Sequence, residues 1–474
     1  MFKKFFPYSL QLHIFQLDEY SVSKFLKWIV THFFTRTVAN KKPLVWTQKA
    51  KSICYLAILL SLLDIFILTL FLKLTGLIIS ILLATQAYIF ILLAYFLLLP
   101  LETYKKNKIK NLTEEKILSL QKKKLKVIGI TGSYGKTSVK EFLYQILKTK
   151  YKVLKTPESY NTPQGIAKVV DLELDDSYDY FICEMGAYRI GEIKEICHIV
   201  HPTYGILTGI NEQHLETFGS LENTTKGKFE LIDALPKDGF GIVNTANKRI
   251  REEYLTHNKN NNIFPYGEKS QEFSFNDSGT LFELPLKIKH KDRFMYKNYN
   301  AKTKLLGTAN IENITAAATM ASLLDMEPQL ILKAIEELVS VPHRLEFKSQ
   351  GNMTIIDDAY NSNYDGFRNA IEVLGTYSFR QNRSKILVTP GIVDLGSETI
   401  KIHKDLGKEI SRVSTIDYII LVGKSDRTRG LKEGIEDKEK IIEIDSIRDV
   451  WSTIEKLKVK HPVVLLENDL PDNY

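Results

Sequence analysis

Residues 53–99 are almost entirely apolar, which commits part of the chain to helices in an apolar setting before anything else is considered. Ile53–Leu72 supplies 20 residues broken only by Ser, Asp and Thr, and Leu77–Leu99 supplies 23 more. Either run can cross a hydrocarbon layer of about 30 Å at 1.5 Å per helical residue. The connection Lys73-Leu74-Thr75-Gly76 is so short that the pair predicts a helical hairpin. A cleaved signal peptide is not the expectation, because the apolar block begins some fifty residues in. Arg36, Lys41, Lys42, Lys49 and Lys51 precede the first span with no acid among them. Lys105–Lys126 follows the second with nine lysines against Glu114 and Glu115. Positive flanks stay inside, so the expectation is a two-span protein of the cytoplasmic membrane with everything after residue 100 in the cytoplasm. The lysine run would meet anionic lipid headgroups. Folding the hairpin about Thr75 puts Asp64 level with Gln86, an expected hydrogen-bond partner for a costly intramembrane carboxyl. The first 40 residues interleave Tyr8, Phe25 and Trp28 with lysines. They suit an interfacial helix or packing on the hairpin, and the two readings stay open.

The remainder has mixed, soluble character, and 474 residues predict two or three domains. The formal charge of +8 does not argue for nucleic acid, since the excess lies in that one stretch. No module combining basic and stacking residues stands elsewhere. Cys54, Cys183 and Cys197 form no metal-ligand spacing and no disulfide framework, which fits a reducing compartment.

Val127-Ile128-Gly129-Ile130 reads as a short buried strand, and it runs into Thr131-Gly132-Ser133-Tyr134-Gly135-Lys136-Thr137-Ser138 and a helical stretch to Lys148. Strand, glycine loop and helix together make a phosphate cradle. Gly132 and Gly135 let backbone N–H groups approach phosphate oxygens, with Ser133 and Ser138 in the same segment, and the helix N-terminus favours negative charge. Lys136 would reach the terminal phosphates of ATP and the Thr137 hydroxyl would bind Mg²⁺. The longer Walker pattern needs Gly where this chain has Ile130. The shorter Gly-x-x-Gly-Lys-Thr form resembles that of the Mur ligases and folylpolyglutamate synthetases.

Further motifs sharpen that resemblance toward the MurF branch of the Mur ligase family. Glu184-Met185-Gly186-Ala187 closes a strand and is followed by Gly191-Glu192-Ile193. Asn211-Glu212-Gln213-His214-Leu215-Glu216 leads to Phe218-Gly219-Ser220 and to Lys226-Gly227-Lys228. Asn161-Thr162-Pro163-Gln164-Gly165 stands, more loosely, where the family has an Asn-rich loop near the acyl acceptor pocket. Gly307-Thr308-Ala309-Asn310-Ile311-Glu312-Asn313, Pro342-His343-Arg344-Leu345-Glu346 and Asp357-Asp358-Ala359-Tyr360-Asn361 complete the series. By this resemblance Glu184 and His214 hold metal, and Lys228 is carbamylated and helps hold a second Mg²⁺. Asn313 reads adenine, Arg344 touches phosphate after domain closure, Asp358 faces the ribose side of ATP, and Tyr360 and Asn361 line the closed site.

The resemblance covers residues 126 to about 466 and implies a definite fold class. It is α/β: a membrane-anchored helical hairpin, a P-loop-type central ATPase domain and a C-terminal Rossmann-like α/β domain. The corresponding division is 1–51 aromatic and basic, 52–99 hairpin, 100–125 basic linker, 126–341 central domain and 342–474 C-terminal domain. The implied chemistry is activation of a carboxylate by ATP to an acyl phosphate, captured by an amine to give an amide. The implied partners are the membrane and an amino-acid or peptide substrate, UDP-linked or lipid-linked in cell-wall synthesis. Two departures leave the substrate open. Residues 1–125 cannot be the small domain that grips a UDP-sugar in MurF proteins, and Glu467-Asn468-Asp469-Leu470 stands where those proteins carry Lys-Gly-Ser-Arg. A membrane-anchored ligase for another polymer, resembling the poly-γ-glutamate synthetases, is the alternative.

Overall fold

A computed structural model describes residues 8–18, 20–31, 44–157, 160–211, 215–257, 262–267, 273–276, 279–290, 293–360, 363–377, 383–393 and 395–468. The chain separates into two units, Met1–Ile109 and Lys110–Tyr474.

The first unit is helical. Helices α1 (Tyr8–Leu17) and α2 (Val22–Thr31) precede α3 (Gln48–Thr85), which is two helices joined at a kink, and α4 (Ala87–Gln121), which ends in the second unit. Two stretches, Gln48–Leu83 and Ala87–Gln121, are long and apolar enough to cross a membrane. The chain reverses at Lys73 (φ 49°, ψ −131°). Leu68 and Gly76 face each other so closely that a Cβ on Gly76 would fall 1.9 Å from the Leu68 carbonyl oxygen. Only glycine fits there. The reversal sits at Lys73 rather than about Thr75, which slides the return leg along by several residues. Asp64 is therefore level with Ser80, whose hydroxyl donates to the Asp64 carbonyl at 3.4 Å, and the expected Asp64–Gln86 hydrogen bond does not form. Among the described residues, Asp64 Oδ2 is buried with no hydrogen-bond partner. The open question about the N-terminal aromatics is resolved toward packing. Leu12 and Phe15 of α1, Phe25 and Ile29 of α2, and Ala50, Ile53, Ala57, Phe90, Ile91 and Ala94 of the hairpin form one buried cluster. Phe15 lies 4.7 Å from Phe25 and 5.1 Å from Tyr95 between ring centres.

The second unit is built on two six-stranded sheets. The first is wholly parallel in the order β2-β3-β1-β4-β5-β6. Its strands are β1 (Lys126–Thr131), β2 (Val153–Lys155), β3 (Tyr180–Glu184), β4 (Tyr204–Leu207), β5 (Phe240–Asn244) and β6 (Ile263–Tyr266). An unbroken apolar run such as Val127–Ile130 belongs in a sheet covered on both faces, because successive side chains point to opposite sides. Ile128 and Ile130 join Phe142 and Ile146 of helix α5 (Lys136–Leu147) and Ala316–Ala318 on one face. Val127 joins Phe181, Cys183 and Ile166 on the other. Each such fully buried side chain contributes about 1.5–3 kcal/mol.

Part of the lysine run is used inside this unit. Ile117 and Leu120 of α4 enter the same cluster as Val127. Lys116 donates to the carbonyls of Val170 (2.7 Å) and Asp171 (3.0 Å), in the last turn of α6 (Pro163–Glu173), where a cation suits the helix end. Lys123 pairs with Asp176 at 2.7 Å and Lys124 with Asp179 at 2.9 Å. Lys110 pairs with Glu195.

A three-stranded antiparallel sheet, β7 (Phe273–Asn276), β8 (Gly279–His290) and β9 (Arg293–Thr303), follows the first sheet. The second large sheet has the order β10-β11-β15-β12-β13-β14 and is parallel except where β10 (Glu346–Gln350) meets β11 (Met353–Asp358). Its other strands are β12 (Lys385–Thr389), β13 (Tyr418–Val422), β14 (Ile441–Ile444) and β15 (Val463–Glu467). The expected α/β class, two doubly wound sheets in succession, is what forms.

A buried carboxylate oxygen left without a hydrogen-bond partner costs about 1–3 kcal/mol. Asp64→Leu is therefore expected to raise the melting temperature of the protein in detergent, read by intrinsic fluorescence. A fall would mean that the carboxyl has a stabilising partner.

Candidate active site

In open parallel sheets, ligands gather beyond the carboxyl ends of the strands. Here β1 ends at Thr131, and the loop 132–135 turns directly into α5. Gly135, the N-cap of α5, has φ 78°, and a Cβ there would come within 2.6 Å of Asn313 Oδ1. Asn313, on helix α7 (Thr308–Leu323), thus presses against the glycine loop that sequence reasoning assigned to the same nucleotide. The loop is braced from the segment after β4: Ser133 N–H donates to the Gly209 carbonyl at 2.6 Å, and Ser133 Oγ accepts from Asn211 N–H at 3.3 Å. Ser138 is buried in the first turn of α5.

Lys136 folds back over the loop, donating to the carbonyls of Gly132 (2.8 Å) and Ser133 (3.1 Å). Burial lowers its pKa, Glu184 raises it and Arg344 lowers it further. Thr137 Oγ1 donates toward both oxygens of Glu184, at 3.2 and 3.1 Å, so the hydroxyl and carboxylate expected at a metal do converge. Glu184 closes β3 and is 2% exposed; its backbone N–H donates to Thr156 Oγ1 at 3.1 Å, and Asn161 Nδ2 reaches its side chain at 3.4 Å. Hard oxygen donors at the mouth of a glycine loop suit Mg²⁺ held jointly by protein and phosphate. Lys140 Nζ also lies 3.1 Å from Glu184 Oε2 and is fully buried, a partner that sequence reading missed. The available signal was its place one helical turn beyond Lys136, on the same face.

Lys228, on the helix Leu221–Asp233, is 2% exposed. Its Nζ donates to the Ala187 carbonyl at 3.2 Å and lies 5.5 Å from the Phe218 ring centre. Burial and then the charge of Lys136 push its pKa down to about 7, with Glu192 and Glu230 acting in the opposite sense. His214 and Asn361 lie outside the described residues.

The second sheet contributes Arg344 and Asp358. The Arg344 guanidinium sits 4.4 Å from the Tyr360 ring centre. Burial lowers its pKa, while the charges of Asp358, Tyr360, Glu184 and Glu467 raise it. Arg344 therefore lies within electrostatic reach of the Lys136–Glu184 group across the junction between the sheets. Asp358 ends β11, opposite Glu467 at the end of β15. It accepts from Leu345 N–H at 3.1 Å and hydrogen-bonds to Glu467. Burial pushes its pKa up to about 6, against the pull of Arg344. Glu467 was read from sequence only as a departure from a family loop; its link to Asp358 depends on strand order, which spacing does not reveal.

A parallel sheet opening on a glycine loop, followed by a Rossmann-like sheet that adds an arginine and an acid, defines a P-loop-type α/β protein of two nucleotide-fold layers. Residues 130–321 match the Mur ligase middle domain, and residues 343–466 match the Mur ligase, glutamate ligase domain. The chain belongs to the Mur ligase family. It is 29% identical over 307 residues to the UDP-N-acetylmuramoyl-tripeptide–D-alanyl-D-alanine ligase of Bacillus subtilis, which is 64% of this chain and 64% of that protein. The chain thus spans just under two thirds of that relative's length. MurF from Acinetobacter baumannii superposes with a TM-score of 0.66 at 25% identity, covering 77% of each chain. A MurF ligase from Thermotoga maritima in complex with ADP shares the fold, with a TM-score of 0.63 at 23% identity over 77% of this chain and 80% of that one.

Lys228 links the site to pH. Between about 7 and the ordinary lysine value of 10.5, the unfolded chain holds a proton that folded Lys228 has shed. Lys228 therefore makes stability rise with pH across that window. Lys228→Met should flatten the rise in melting temperature and raise stability at neutral pH. An unchanged slope would contradict the buried, neutral amine.

Proposed function

We propose that this chain is an ATP-dependent carboxylate–amine ligase, MurF-like, acting in peptidoglycan precursor synthesis at the cytoplasmic face of the membrane, with 126–341 and 342–474 as its catalytic domains. The observation that carries the reading is the gathering of Lys136, Thr137, Glu184 and Arg344, from two sheets, about one glycine loop. When bound, MgATP supplies the phosphoryl group that turns a carboxylate into an acyl phosphate. The difficulty for the chain is holding mutually repelling anions together. Lys136 and Arg344 supply fixed positive charge, and loop N–H groups add donors that need no reorganisation. Thr137 and Glu184 are the residues that would hold the metal. The match of His214 to the family run makes it a further metal ligand in this reading. Asn313 and Asp358 would place the adenosine.

Lys228 suits carbamylation because a pKa of about 7 leaves much of the amine neutral at physiological pH. A neutral amine attacks CO₂ and loses a proton, giving an N-carboxylate that exchanges a cation for an anion. The apolar hairpin would hold the enzyme at the membrane. Confinement there raises the effective concentration of a lipid-linked acceptor without any new contact.

Two measurements test this. Lys136→Ala is expected to lose ATP-dependent turnover by about 10²-fold or more while keeping its circular dichroism, since it removes a fixed charge from developing phosphate charge. Near-normal rates would overturn the site. The full-length enzyme in vesicles is expected to join D-alanyl-D-alanine to a lipid-linked muramoyl-tripeptide, and removal of residues 1–100 should abolish most of that turnover. Full activity of the truncated enzyme on the UDP-linked tripeptide would sink the membrane part and leave plain MurF activity.

A further inference from the structure

Lys140 is the buried charge that the proposed chemistry does not use. It is fully buried one turn beyond Lys136, with Nζ 3.1 Å from Glu184 Oε2 and 3.8 Å from Glu141 Oε1. Glu141 is paired in turn with Lys155, whose side chain is 27% exposed. Four charges of alternating sign therefore run inward from the rim: Lys155, Glu141, Lys140, Glu184. The last is the carboxylate that Thr137 also touches.

A divalent ion and Lys140 want the same lone pairs. An ammonium held 3.1 Å from one carboxylate oxygen engages lone pairs that Glu184 would offer a metal, and it repels any cation placed beside it. Thr137 is neutral, so Thr137 and the paired Glu184 alone then present little net charge to a metal. A nucleotide's polyphosphate would restore the missing charge. Glu141, 3.8 Å from the same Nζ, offers Lys140 a second berth.

We propose that Lys140 is a built-in counter-ion that makes metal binding at Glu184 conditional on nucleotide. It keeps the carboxylate paired and aimed at Thr137, and shifts toward Glu141 when a metal arrives with a polyphosphate. Lys140 is thus a positioning residue that acts through Glu184. The proposal rests on the metal–nucleotide reading of the site, and the test separates the two.

The full-length protein in detergent is titrated with Mn²⁺, followed by electron paramagnetic resonance, with and without the non-hydrolysable analogue AMP-PNP. Wild type should bind Mn²⁺ weakly alone and tightly with AMP-PNP. Lys140→Met should bind Mn²⁺ alone about 10- to 100-fold more tightly than wild type, the range expected when a group behind a metal ligand is changed. Lys140→Arg should keep the wild-type dependence. Glu141→Gln removes the second berth and should weaken Mn²⁺ binding with AMP-PNP by about tenfold or more. This holds the proposal to account even where Lys140→Met fails to fold. Wild-type Mn²⁺ affinity in Lys140→Met, or in Glu141→Gln with AMP-PNP, overturns the counter-ion role. Glu184→Gln should lose Mn²⁺ under both conditions. If it keeps wild-type Mn²⁺ binding with AMP-PNP, the metal site itself is misplaced.

Discussion

The carboxylate of Glu184 is the constraint around which the catalytic unit is organised. It sits at the end of the central parallel sheet, 2% exposed, where an isolated charge would be too costly to keep. Its surroundings answer that cost with three groups from two separate stretches of chain: the Thr137 hydroxyl and Lys140 ammonium from α5, and the Asn161 amide from the loop before α6. All three depend on β1 and β3 being neighbours in register, with Ile130 opposite Glu184. The glycine loop can then open directly over the acid, with Lys136, Thr137 and Lys140 all in the first two turns of α5.

The second sheet completes this arrangement with charge of the opposite sign. Arg344 is half-buried, stacked on Tyr360 and within reach of its own acids and the Lys136–Glu184 group. An arginine in that position is expensive unless several acids face it, and Asp358, Glu467 and Glu184 do so. Burial pushes the Asp358 carboxyl, opposite Glu467, up to about 6 against the pull of Arg344. The junction between the sheets is thus an electrostatic closure, in which cations and anions from two layers are mutually compensating.

Much of this was legible in the residues because the phosphate loop is local. Strand, glycines, lysine and threonine follow one another within about a dozen positions, so no tertiary information is needed to read them. Glu184, Arg344 and Asp358 were legible through motifs that resemble a known family. Lys140 was not, because its partner lies far off in sequence and a lysine on an amphipathic helix ordinarily faces solvent. Glu467 escaped for the same reason, since β15 reaches Asp358 only through a strand order that spacing cannot supply. The hairpin shows a different limit. Its existence followed from length and apolarity, but its register depended on a single turn residue, Lys73, and the partner expected for Asp64 failed with it. The lysines after the hairpin were read as lipid-facing by charge alone. Lys116, Lys123 and Lys124 instead bond to carbonyls and acids of the catalytic unit.

The central claim is that these charges exist to make and protect an acyl phosphate. Oxygen transfer tests it most directly. The acyl substrate that supports ADP release is prepared with ¹⁸O in its carboxylate, turned over with the amine acceptor, and the released phosphate is analysed by mass spectrometry. The account predicts that one ¹⁸O from each carboxylate consumed appears in inorganic phosphate, because the carboxylate oxygen that attacks phosphorus leaves with it when the amine displaces phosphate. Phosphate free of ¹⁸O, with amide formed at the same rate, would contradict activation through an acyl phosphate.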